Sequence, residues 1–169
     1  GTVLYNFLSG EPVAGLTAGR PLLARTVDAK FTFANFARVQ LYSALASLKL
    51  GLDILNREEV ALDRLLGHGG YFKAPEAGQR VLAAAAKAPV SVMETAGEGG
   101  PWGMALLASY AARREPGQSL EDYLDSRIFA GQKAVTINPD PEDAAGFDAF
   151  MERYVAALPA ERAAVDNLN

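Results

Sequence analysis

The chain contains no cysteine and a single histidine, His68. The first absence excludes disulfides and thiol nucleophiles and fits a reducing, cytoplasmic setting. The second removes histidine-rich metal sites and any catalysis that needs a separate histidine base. Charge is not concentrated in blocks. Lys and Arg number 16 against 20 Asp and Glu, for a net charge of -4, and there is no basic run, so nucleic acid is not an expected partner. Long apolar runs are missing too. Lys49, Asp53 and Arg57 interrupt the longest candidate, which leaves nothing of transmembrane length and no expected membrane partner. Residues 1–10 lack the charged start and long apolar stretch of a signal peptide.

Three nucleotide or hydrolase signatures are absent as well. There is no G-x-x-x-x-G-K-[ST], so the chain is not a P-loop protein. Neither glycine cluster completes G-x-G-x-x-G, because Phe72 and Trp102 occupy the last position, and this disfavours a dinucleotide site. His68-Gly69-Gly70 mimics the oxyanion loop of some esterases, but no G-x-S-x-G accompanies it.

What remains is globular. Half of the 169 residues are hydrophobic, enough for one domain with a sizeable core. Residues 3–8 read as a short helix closed by Ser9-Gly10, residues 11–20 as loop, and residues 21–27 as extended. The clearest helix spans 33–56, with Thr32 as its cap and Leu41, Leu45, Leu48, Leu52 and Leu55 in one stripe. Residues 61–66 read as a buried strand. A second helix starts near Pro75 and is stopped by Pro89, and residues 90–93 form a second strand. A small-residue helix follows over 102–114. The tail starts a helix at Asp140-Pro141, with Phe147, Phe150, Met151, Tyr154 and Leu158 on one face and with Asp140, Glu142 and Asp143 as a solvated helix start. This order is an α/β pattern with few strands.

Both strands run into glycines. Leu66-Gly67-His68-Gly69-Gly70-Tyr71-Phe72-Lys73 lies between a strand and a helix. Glycine lets a backbone approach a ligand closely, and the following helix directs free N–H groups there, which suits a phosphate. From spacing alone, a tight turn without ligand explains the same residues equally well. In the second cluster, residues 94–103, small residues favour close helix packing, and Trp102 reads as a packing anchor.

In combination these segments resemble the carboxy-terminal domain of FGGY carbohydrate kinases, of the xylulose or ribulose kinase type. The resemblance is carried by Leu66-Gly67-His68-Gly69-Gly70, by Gly78-Gln79-Arg80-Val81-Leu82-Ala83 with Ala88-Pro89-Val90, and by Trp102-Gly103-Met104-Ala105-Leu106-Leu107-Ala108. Tyr5-Asn6-Phe7-Leu8-Ser9-Gly10-Glu11 is similar to the family's "Y-L-S-G-E-R", although Pro12 replaces the arginine. Asp140-Pro141-Glu142 and Arg153-Tyr154 resemble its closing region. Tyr71-Phe72-Lys73 is bulkier than the small residues usual after the glycines.

The resemblance implies an α/β fold of the actin-like ATPase (ribonuclease H-like) type. Residues 1–169 would be part of its carboxy-terminal half, truncated at the amino-terminal strands, with 140–169 as a helical tail. It implies ATP and Mg2+ as cofactors and transfer of the γ-phosphoryl to a ketopentose or related sugar. The carboxylate base and the sugar pocket would belong to the amino-terminal kinase domain, a partner absent from this sequence, so no catalytic residue is expected here. Gly69, Gly70, Tyr71, Phe72, Lys73 and Gln79 would form the adenosine side. The alternative is a catalytically inactive nucleotide-binding or interaction module of the same fold. With strands missing, open sheet edges and exposed apolar helix surface favour a homodimer. Light scattering at micromolar concentration checks this: a dimer mass is expected, and a clean monomer mass would mean that residues 1–27 fold back and close the core.

Overall fold

A computed structural model describes residues 1–74, 76–94 and 96–168. Two compact units emerge. The first comprises residues 1–63, 81–88 and 139–169, and the second residues 64–80 and 89–138.

In the first unit, β1 (Thr2–Tyr5) pairs antiparallel with β2 (Leu22–Arg25), from Thr2 opposite Arg25 to Tyr5 opposite Leu22. The extended reading of 21–27 holds over Leu22–Arg25, and the chain turns at Val27. Residues 3–8 do not form the expected helix, because the β-branched and aromatic run Thr2-Val3-Leu4-Tyr5 finds a partner strand and buries three of its four side chains. Between the strands, residues 12–14 make one 3₁₀ turn, and the rest is loop.

Helix α1 (Phe33–Arg57) starts where the sequence placed it, with the Thr32 hydroxyl accepting from the Asn35 N–H at 3.2 Å. Its buried face takes in only part of the leucine stripe, however. Leu48 and Leu55 are exposed, while Val39, Ser43, Leu45, Ala46, Lys49 and Leu52 are buried. The face is chosen by its partner. The Ser43 hydroxyl donates to the Leu4 carbonyl at 2.6 Å, and Lys49 is satisfied by Asp53 one turn on. Helix α5 (Pro141–Asn167) is capped by Asp140, whose carboxylate accepts from the Glu142 and Asp143 N–H groups at 2.9 and 3.1 Å. Its Phe147, Phe150, Met151 and Tyr154 are buried as expected, and Leu158 is half-buried.

A polar knot ties β1 to α5 through this core. The Tyr5 phenol donates to the Tyr154 carbonyl at 2.6 Å, and the two rings lie 4.6 Å apart. Glu161 is fully buried. One carboxylate oxygen accepts from the Arg20 N–H at 2.7 Å, and the other has no hydrogen-bond partner among the described residues.

In the second unit, β3 (Leu65–Gly67), β4 (Val90–Met93) and β5 (Ala134–Ile137) form one sheet in the order β3-β4-β5, parallel then antiparallel. β4 has its expected bounds. β3 is shorter than the expected 61–66 because Pro89 can accept from the Leu65 N–H, at 2.9 Å, but has no N–H to continue the ladder. β5 was not legible as a strand. Helix α2 (Ala77–Ala86) follows β3; its expected start at Pro75 lies outside the described residues. Helix α3 (Gly100–Arg113) follows β4, and a short helix α4 (Leu120–Tyr123) leads through a π-helical turn toward β5. Among the described residues, no helix is long and apolar enough to cross a membrane.

The Tyr5 knot has a pH signature. Burial first, and then the Glu161 carboxylate, push the Tyr5 phenol from 10.0 up to about 12, and burial raises Tyr154 as well. The unfolded chain releases the Tyr5 proton near pH 10 while the folded chain holds it to about 12. Stability is therefore intact below pH 10 and falls as the pH rises toward 12, at up to about 1.4 kcal/mol per pH unit for one such group. Tyr5→Phe is expected to lose about 1 kcal/mol at neutral pH with its hydrogen bond and to show a shallower alkaline decline. Urea unfolding at pH 7, 10 and 11 checks both effects, and an unchanged alkaline slope would remove Tyr5 from this role.

Candidate functional site

Strands β3 and β4 run parallel and end side by side, with Gly67 opposite Val92. In open α/β sheets, ligands bind outside the carboxyl ends of such strands. Here both ends open into the two glycine clusters, and the two clusters touch. The Gly69 N–H donates to the Ala96 carbonyl at 2.6 Å. A Cβ at Gly99 would lie 3.1 Å from the Gly69 Cα. Both glycines have left-handed backbones, with φ of +101° at Gly69 and +50° at Gly99, so the junction is built of backbone alone. Gly99 is also the N-cap of α3, and no side chain caps that helix end.

The six residues that the resemblance implies are placed as follows. Gly69 and Gly70 face open space: a Cβ on either would meet nothing within 4 Å. Gly70 has no positive φ, so neither packing nor backbone strain demands glycine there. Phe72 and Gln79 line one cavity of about 380 Å³, whose floor also includes Val92, Met93 and Val135. Gln79 is buried, and its side-chain NH₂ donates to the Val90 carbonyl at 2.6 Å and the Val135 carbonyl at 2.7 Å. It therefore braces α2 against two strands while lining the cavity. Tyr71 packs edge-on against Phe72, with ring centroids 5.5 Å apart, and covers Gly78, where a Cβ would sit 2.5 Å from the Tyr71 carbonyl. Lys73 lies over Gly97 and reaches Glu98 at 4.0 Å, an exposed pair worth at most about 1 kcal/mol.

Phe72 and Gln79 are thus brought to the cavity, Tyr71 to the base of α2, and Lys73 to the junction of the loops. Sequence reasoning did not single out Glu76, Met93, Glu94 or Val135 as cavity residues, and it gave the second glycine cluster a packing role. The signal available was the pair of strand-then-glycine segments, which parallel pairing places together. His68 is exposed in the first loop. Among the described residues, no three His, Cys, Asp or Glu side chains gather as a metal cage.

A separate cavity of about 360 Å³ lies in the first unit, lined by Lys30, Arg38, Tyr42, Phe150 and Arg153 together with Asp28. A hydrogen bond from Thr26 holds the Asp28 carboxyl below its usual range. None of the residues implied by the resemblance lies there.

Two kinds of comparison with known proteins place this geometry. The structure is similar to that of a xylulose kinase from Rhodospirillum rubrum, with TM-score 0.65 and 16% identity over 95% of this chain and 30% of that one. It is also similar to a ligand-bound xylulose kinase from Lactobacillus acidophilus, with TM-score 0.71 and 18% identity over 99% of this chain and 33% of that one. At such identities the likeness shows the fold, a mixed α/β arrangement, and the chain spans about a third of the length of these kinases. No curated protein matches the chain in sequence. A family model does match residues 1–112, which include both glycine loops. The chain belongs to the FGGY family of carbohydrate kinases and carries its C-terminal domain.

Proposed function

We propose that this chain forms the ATP-binding, adenosine-side part of a cytoplasmic sugar kinase that transfers the γ-phosphoryl of MgATP to a hydroxyl of a ketopentose or related sugar. The observation that carries the reading is the glycine junction. Two strand-end loops meet through backbone alone, and Gly70 is a glycine that neither packing nor backbone strain requires. Close approach of a ligand supplies the missing reason.

In such a transfer, the sugar oxygen bonds to the γ-phosphorus, the bond to the β–γ bridging oxygen breaks, and the hydroxyl proton passes to a carboxylate base. The enzyme contributes mainly positioning and charge neutralisation. On this reading, Gly69 and Gly70 approach the nucleotide by backbone, Phe72 and Gln79 wall the cavity beside them, and Lys73 offers a cation at the loop junction. Mg2+ would neutralise the outer phosphates. The base, the sugar pocket and the partner domain belong to the amino-terminal half of the kinase.

Two measurements test this. Gly70→Val is expected to fold, since its Cβ meets nothing within 4 Å, and to bind ATP roughly ten-fold or more weakly by calorimetric titration. Unchanged affinity in the folded variant would return these glycines to a purely structural turn. Gly67→Val serves as the contrast: its Cβ would sit 2.6 Å from the Phe72 ring, so it should lose stability.

For the reaction itself, a coupled assay with ATP and a panel of ketopentoses and polyols should show turnover by the whole kinase and none by this chain alone. Losing a catalytic base typically costs about 10²–10⁴-fold by itself. Turnover by the isolated chain at ordinary enzyme rates would overturn the division of labour. ATP binding without turnover on any sugar by the whole protein would favour an inactive nucleotide-binding module.

A further inference from the structure

The cavity of the second unit discriminates between the two ends of a nucleotide, and the inference drawn from it rests on the ATP reading above. Its floor is apolar, formed by Phe72, Val92, Met93 and Val135, and suits a flat heterocycle. Among the described residues, its charged lining groups are Glu76 and Glu94, with no Lys or Arg. Both glutamates are exposed, and two like charges at one cavity disfavour a triphosphate beside them. They welcome hydrogen-bond donors instead. The cation of this neighbourhood, Lys73, lies outside the cavity, over Gly97 at the junction of the glycine loops. Charge therefore orients the ligand, with phosphates toward the glycines and Lys73 and the nucleoside toward the cavity.

Of the two acids, Glu76 is bound to the site by its backbone. It occupies the cap position of α2, where its carbonyl accepts from the Arg80 N–H at 2.8 Å. It is one of the few non-glycine residues held at positive φ, +64°. That conformation costs roughly 1 kcal/mol or more for a residue with a side chain, and here the side chain lines the cavity. It also stands on the same loop as Gly69 and Gly70, so one loop presents a backbone surface and a carboxylate to one ligand. A carboxylate has two acceptor oxygens, which match the two adjacent hydroxyls of a ribose; adenine offers no such adjacent pair of donor groups.

We propose that this cavity receives the nucleoside end of ATP and that the Glu76 carboxylate accepts hydrogen bonds from the ribose 2′- and 3′-hydroxyls. The chain then prefers ribonucleotides over 2′-deoxyribonucleotides, and Glu76 is the residue that sets the preference.

The test compares ATP with 2′-deoxy-ATP by calorimetric titration of the chain and of two variants, Glu76→Asn and Glu76→Gly. Both replacements tolerate the left-handed backbone and remove the carboxylate, so both should fold, as circular dichroism verifies. The ratio of the two affinities is the readout, because a merely structural role would shift both affinities together. The wild type is expected to prefer ATP by roughly ten-fold, the size of one hydrogen bond to a charged group, and the variants by less than about two-fold. Four outcomes overturn the inference. If the wild type binds both nucleotides equally, or if the preference survives in the variants, Glu76 is not the reader and the ATP site stands. A preference that disappears in Glu94→Gln instead assigns the role to the other acid. Failure of the wild type to bind ATP at all removes the nucleotide reading itself and this inference with it.

Discussion

The second unit depends on one backbone contact, the hydrogen bond from the Gly69 N–H to the Ala96 carbonyl at 2.6 Å. Parallel pairing of β3 and β4 brings two strand ends together, but ordinary residues would hold the loops beyond them apart by their side chains. Glycine at 99, where a Cβ would press on the Gly69 Cα at 3.1 Å, removes that obstacle, and glycine at 69 and 99 supplies the left-handed turns that both loops need. Other features then follow from the junction. Gly99 is both the contact point and the N-cap of α3, so the helix starts where the loops meet. Lys73, four residues after Gly69, is drawn across Gly97 and against Glu98. The first loop then turns into α2, which places Phe72 and Gln79 along the cavity.

The first unit is organised by a different constraint, the satisfaction of buried polar groups. Tyr5 and Glu161 are both removed from water, and each finds a main-chain partner from a distant part of the sequence, the Tyr154 carbonyl and the Arg20 N–H. Such bonds add little net energy when made but cost more when one partner is missing. They therefore fix β1, through Tyr5, and the loop before β2, through Arg20, against α5 more firmly than apolar contact alone. Ser43 does the same between α1 and β1 through the Leu4 carbonyl. That last contact lies on the face of α1 that turns Val39, Ser43 and Ala46 to the interior, while Leu48 and Leu55 stay exposed.

Polarity within the proposed site follows from the same chain segment. Between Gly69 and Gln79 the sequence supplies bare backbone, an aromatic wall, a cation and an acid in that order. The fold sends the cation to the loop junction and the acid to the cavity. A nucleotide offers the complementary groups, charged phosphates, ribose hydroxyls and a flat base.

The sequence by itself determined the elements that carry their own local signal. Thr32 and Asp140 are caps whose side chains bond the backbone two or three residues on, so helices α1 and α5 start where those letters stand. Pro89 ends a helix, Val90 to Met93 is β-branched and apolar, and the glycine clusters mark strand ends. With the motifs around them, these were enough to show the family resemblance. Tertiary structure decided whatever needs a partner distant in the chain. The segment Thr2–Tyr5 is a strand because Leu22–Arg25 lies beside it, and Ala134–Ile137 is a strand because β4 offers an open edge. The buried face of α1 includes Leu45 and Leu52 of the leucine stripe, but also Ser43, whose hydroxyl meets the Leu4 carbonyl. The meeting of two glycine loops nearly thirty residues apart, with an acid of the first lining the cavity beside them, was invisible in the letters. Periodicity reports how a segment is built, and only packing reports what stands opposite it.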